Sequence, residues 1–244
     1  MFCFKSRFLT ICVSISPHIL SEQTGISCND DPVHAWDEGV AFYTGSKEGT
    51  DGQGDGKLSY ALADFRCANY KTCGSSGDEL SGTSKVNFDL FDLFSLGKNQ
   101  IQNGNCKGAR ITKERISELI YIPMIQGTLR YAYKVGNQGG EEKEEAEGAI
   151  FAAAVLPVIH AASKSAASTI YDNMKVKGDG KYEADFKAVR DAFRSVYEDI
   201  GVTCAQVGGL WDKGSGGYYE DAEPCLDAST ASKPSNPFGG SAGC

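Results

Sequence analysis

An all-α fold, a multi-helix bundle with long proline-kinked helices and disulfide-stapled loops, is what this sequence predicts. Three observations lead there. Apolar residues recur at helical spacing from Pro32 to Ile200, and no stretch shows the two-residue alternation of a sheet. The cysteines are scattered between the apolar runs without a CxxC pair, the pattern of loop staples rather than a zinc knuckle. With 244 residues, 41% of them hydrophobic, the chain can bury one substantial core.

The chain opens on Lys5 and Arg7 followed by the short apolar run Phe8 to Ile15, the order of a secretory leader. Residues 1–27 are therefore expected to be a signal peptide, with a misassigned start as the alternative. Residues 28–225 are expected to form the helical domain, and 226–244 a disordered Ser/Pro/Gly tail, truncated in appearance. The leader is too short to span a bilayer, and no later apolar run reaches the needed length free of polar residues, so no membrane span is expected.

Asp30-Asp31-Pro32 marks a helix start, with acidic caps and proline in the first turn, and the helix runs to Thr44-Gly45. Val33, Trp36, Val40 and Tyr43 share one face, with His34, Asp37 and Glu38 opposite. After a glycine-rich loop, Leu58, Ala61, Leu62 and Phe65 give a second helix ending near Cys67–Cys73. A third runs from Lys85 to Gly97. The fourth is expected over Thr112–Val135, kinked at Pro123, and the fifth over Glu141–Asn173, kinked at Pro157. Pro123 to Gly127 parallels Pro157 to Ala161, with Gln126 standing where the other has His160, a weak internal repeat. Tyr182, Phe186, Val189, Phe193, Val196, Tyr197 and Ile200 make the cleanest stripe, the sixth helix. The glycine- and proline-rich remainder can be tied down by Cys204 and Cys225.

A net charge of −8 argues against nucleic acid as a partner, because a phosphate backbone needs a basic face. The chain has three histidines, two of them in helical segments beside acidic residues. His34 and Glu38 are four residues apart with Asp37 between, enough for part of a cation site. Mixed nitrogen and oxygen donors suit iron or zinc, and hard carboxylates favour ferric iron. The same three residues equally suit a solvated face opposite Trp36. His160 follows Pro157 on an apolar helix, either as a ligand turned into a gap or as a core histidine bonded to a freed carbonyl. Glu147 precedes His160 by roughly 20 Å of helix, so the two cannot share one ion, and partners such as Gln126, Glu118 or the first helix would be required. The Glu141–Glu147 run complements a helix dipole. Asp51 to Ser59 copies half of an EF-hand loop, but Leu62 stands where the bidentate glutamate belongs, so tight calcium binding is not expected. No hydrolase, Walker or dinucleotide motif is present, and an enzyme is not indicated.

Several segments together resemble a known family. They are His34-Ala35-Trp36-Asp37-Glu38-Gly39-Val40-Ala41-Phe42-Tyr43-Thr44-Gly45, Tyr60 to Cys73, Ile125 to Lys134, and Glu144 to His160. Their pattern is similar to the algal iron-assimilation family of low-iron-inducible periplasmic proteins, over roughly Pro32 to Val207. The resemblance implies a secreted or periplasmic protein of iron-starved cells that helps capture iron at the surface, in concert with a cell-surface uptake protein. It implies no ligand set, and family members can carry more than one copy of the unit where this chain holds one. The expectation is thus a non-catalytic iron-binding protein, with His34, Asp37 and Glu38 as metal ligands and Glu147 and His160 as outer candidates. The competing expectations are an extracellular protein-interaction or wall-associated module without metal, and a carbon-dioxide- or stress-responsive surface protein.

Overall fold

The computed structural model describes residues 32–45, 58–178 and 182–227. The leader, Cys28, most of the EF-hand-like loop and nearly all of the tail lie outside the described residues. Helix α1 spans Pro32–Thr44, with Pro32 in its first turn and Trp36 and Tyr43 buried, as the stripe predicts. Helix α2, Ser59–Tyr70, ends where Lys71 takes the left-handed conformation. Helix α3, Lys85–Gln102, starts at Ser84, whose hydroxyl accepts the Val86 N–H, and buries Val86, Leu90, Phe94 and Gly97.

The expected kinked fourth helix is two helices. Helix α4 spans Cys106–Leu119 and helix α5 spans Ile122–Asn137. Pro123 cannot donate to the Leu119 carbonyl and its ring would collide with it, so one helix stops there and the next begins with proline in its first turn. The expected fifth helix also divides, but not at its proline. Helix α6, Glu142–Ala162, keeps Pro157 inside and ends at Ser163. Ser163 is extended, and its hydroxyl accepts the Ala166 N–H to cap helix α7, Lys164–Met174. A capping box of Glu141 and Glu144 opens α6. The suggested repeat fails here: Pro123 starts a helix whose Gln126 is buried, whereas Pro157 sits mid-helix and His160 is exposed.

Helix α8, Phe186–Arg194, continues in turns to Gly201. Together they bury Phe186, Val189, Phe193, Val196, Tyr197 and Ile200, six members of the predicted stripe. A single turn, α9 (Cys204–Val207), and a two-residue hairpin, β1 (Trp211–Asp212) with β2 (Gly217–Tyr218), complete the described chain. Disulfides join Cys67 to Cys73 and Cys204 to Cys225, the latter tying down the C-terminal segment as expected. Cys106 is free.

Helix α5 is the hub, packing on α2, α6, α7, α8 and α9, while α1 packs on α2 and α3. One hydrophobic core runs through all of these. Buried polar groups fix the crossings. The Gln126 amide donates to the Val207 carbonyl at 2.9 Å, and the Tyr70 hydroxyl donates to the Gln126 carbonyl at 2.7 Å. Asn87 accepts the Tyr43 hydroxyl at 2.6 Å and donates to Asp64 at 2.7 Å, joining α1, α2 and α3. Burial raises the Asp64 carboxyl above its usual range, and the Ser84 N–H and Asn87 pull it back in part. By length and composition α6 could cross a membrane, which differs from the sequence expectation. Here it is a bundle helix, with Gly148, Ala152, Val155 and Ile159 buried against its neighbours.

Candidate functional site

The polar face of α1 projects outward because Trp36 and Tyr43 anchor the opposite one, Trp36 donating its indole N–H to the Phe94 carbonyl at 3.0 Å. His34 Nε2 lies 3.6 Å from Glu38 Oε1, both side chains substantially exposed. Asp37 points instead to α3, where Lys98 Nζ lies 3.0 Å from its carboxylate. An imidazole nitrogen and one carboxylate thus face each other on this helix, and the second carboxylate is engaged by a lysine.

His160 occupies the last turn of α6 and is exposed, at neither of the positions expected for it. A histidine there sits favourably against the negative end of the helix. Glu147, 13 residues before it on the same helix, is half-buried beside Tyr131. Burial raises the Tyr131 phenol, and Glu147 adds to the rise while Arg130 and Arg66 oppose it. Gln126 is occupied in the core, and Glu118 is paired with Arg115 at 2.6 Å. Among the described residues no three His, Cys, Asp or Glu side chains gather in a group that could hold a metal ion.

A cluster of different chemistry stands around Tyr131. Arg66, on α2, lies over the Phe151 ring at 6.0 Å, and its Nε and Nη1 are buried without a hydrogen-bond partner among the described residues. Arg130, on α5, stacks against Tyr131 at 5.2 Å. Burial, and then the charge of Arg130, lower the Arg66 pKa from its usual value. Both arginines belong to the segments that carry the family resemblance. Their convergence depends on how α2 crosses α5, which helical periodicity does not encode. The one signal in the sequence is a pair of charges, Arg130 and Lys134, amid the otherwise buried run from Ile125 to Val135.

The profile of the low iron-inducible periplasmic proteins matches residues 21–215. The chain belongs to that family. The match contains α1 to α9 and the strand β1, hence the α1 polar face, Glu147, His160 and the arginine pair. It bears out the family resemblance and extends it at both ends. A periplasmic or cell-surface location follows from membership, and the two disulfides accord with an oxidising compartment. Comparison with curated proteins and with solved structures finds no match.

Proposed function

We propose that this protein assists iron capture at the cell surface without catalysing a reaction. The observation that carries the proposal is the family match over residues 21–215, a family described as induced by low iron and periplasmic. The α1 face supplies the chain's own chemistry for it. His34 and Glu38 offer one nitrogen and one oxygen donor at 3.6 Å, and Asp37 becomes a third when Lys98 releases it. Carboxylates favour a hard ferric ion, and the imidazole adds directional coordination. Such an exposed set leaves coordination positions for water, a chelator or a surface uptake protein, which suits transfer rather than storage. His160 and Glu147 lie on a different helix and serve at most as outer contacts.

A helical contact module without metal is the competing proposal, favoured by the exposure of Phe42, Phe65 and Ile150 on three helices. Titration of the full chain with ferric and ferrous iron, for the wild type and for His34→Ala/Glu38→Ala, separates the two. Saturable binding, weakened about tenfold or more in the double variant, is the expected result. Unchanged binding in that variant removes α1 as the site. No binding by the wild type removes iron capture by this chain and leaves the contact module.

A further inference from the structure

Between the C-terminal end of α2, the last turns of α5 and the β1–β2 hairpin lies a cleft of about 330 Å³, at the small end of the range for ligand sites, ~300–1,000 Å³. Its charge runs against that of the chain. Arg130, Lys134 and Lys213 line it with a single carboxylate, Asp212, on a protein of net charge −8. Asp212 is committed to its own turn. It accepts the Gly214 N–H at 2.8 Å, and this bond and those from Ser215 hold it below the usual carboxylate range. Lys134 is partly satisfied by Glu144 at 3.3 Å. Arg130 and Lys213 have neither an ion-pair nor a hydrogen-bond partner among the described residues. Lys71 stands 4.9 Å over the Trp211 ring, adding a further positive charge at that wall.

A residue just outside the lining carries the same sign. Asn69 lines the cleft, and one turn before it on α2 is Arg66, with two buried N–H groups unsatisfied and the charge of Arg130 close enough to act on it. Neighbouring guanidiniums without a counter-ion are costly to hold in a partly dry environment. A negative group in the cleft would lower that cost at Arg130 directly and at Arg66 through the field.

The geometry points to this cleft as a binding site for a small di- or tricarboxylate anion. The Arg130 fork matches one planar carboxylate in two-point fashion. Lys213 and Lys134 neutralise a second and third, set apart on different walls. The Asn69 amide supplies hydrogen bonds to oxygen, and the Trp211 ring bounds the carbon skeleton. A compact anion such as inorganic phosphate reaches fewer of these cations at once.

The chain has two tryptophans. Trp36 is sealed in the core and Trp211 lines the cleft, so intrinsic fluorescence reports occupancy. Metal-free citrate titrated into the full chain is expected to give a saturable change, weakening as salt is raised. Its affinity is expected to fall about tenfold or more in Arg130→Gln and in Lys213→Gln, and to exceed that of inorganic phosphate by at least about tenfold. Absence of a saturable response to citrate overturns the proposal. So does wild-type affinity in either variant, or phosphate binding as tightly as citrate. Lys213 sits on the exposed hairpin turn, so that variant decides the matter even where Arg130→Gln fails to fold. Because the probe carries no metal, the outcome is independent of iron capture.

Discussion

Gly97 lies against the Trp36 ring, and a Cβ at that position would sit inside it. Alanine is the better helix former by about 1 kcal/mol, yet here the clash with an immobile indole wins. Trp36 is held by its hydrogen bond to Phe94 and has no room to retreat. Gly97→Ala is therefore expected to lower stability by about 1–3 kcal/mol, seen as a lower urea midpoint at unchanged slope. At this scale the sequence is only partly readable. Trp36 and Tyr43 announce themselves as core by their spacing. Gly97 looks from sequence like a helix end, and Asn87 like an ordinary polar residue, because what each one does is set by α1 and α2 lying across α3. The α1 donors are similar: periodicity places His34, Asp37 and Glu38 on one face, but only the packing of α3 brings Lys98 to Asp37.

The two prolines make the same point for whole helices. The sequence predicts a kink at each, yet they behave differently because of where a helix can begin. Pro123 is buried in the first turn of α5, where no N–H is needed. Pro157 sits in the interior of α6 on an exposed face, forfeiting one backbone bond. Pro157→Ala is therefore expected to raise stability by about 1–3 kcal/mol. Pro123→Ala is expected to lower it by about 1 kcal/mol through lost packing. Calorimetric melting of the two variants should show midpoints moving in opposite directions. Periodicity finds the helical content of α4 to α7. It does not find the breaks at Ile120–Tyr121 and Ser163, which fall inside spans that read as continuous helix.

For the molecule as a whole, the acid response can be argued from the carboxylates it holds in unusual states. Glu144 is kept below its usual range first by the Glu141 backbone N–H and then by Lys134. Asp191 is kept low by Lys187 and Arg190 against its own burial, and Asp212 by its turn. Each binds its proton less readily when folded, so its contribution is present above the unfolded pKa of about 4 and lost as pH falls through the folded value. Asp64 is the opposite case: burial raises it, so its contribution is present below the unfolded value and fades as pH rises through the folded one. The melting temperature is expected to fall below about pH 4, where the three lowered carboxylates lose their contribution, and a flat profile from pH 6 to pH 3 would contradict this account. The all-helical class, the core stripes of α1 and α8 and the family were legible at this scale because they are written in local spacing and segment wording. The stripe expected for α2 was not the core face, since Leu58 and Phe65 are exposed and Tyr60, Ala63, Cys67 and Tyr70 are buried instead. The cationic cleft was not legible either, since its walls come from three separate regions and their sum opposes the overall charge.

Two of that cleft's three walls have a further property in common. Asn69 and Lys71 lie inside the loop closed by Cys67 and Cys73, and Trp211 to Tyr219 lie inside the one closed by Cys204 and Cys225. Reducing both disulfides is therefore expected to slacken those two walls, and with them the proposed anion site, while the α5 wall keeps its place. In the fluorescence titration with citrate, the reduced chain is expected to bind more weakly than the oxidised one.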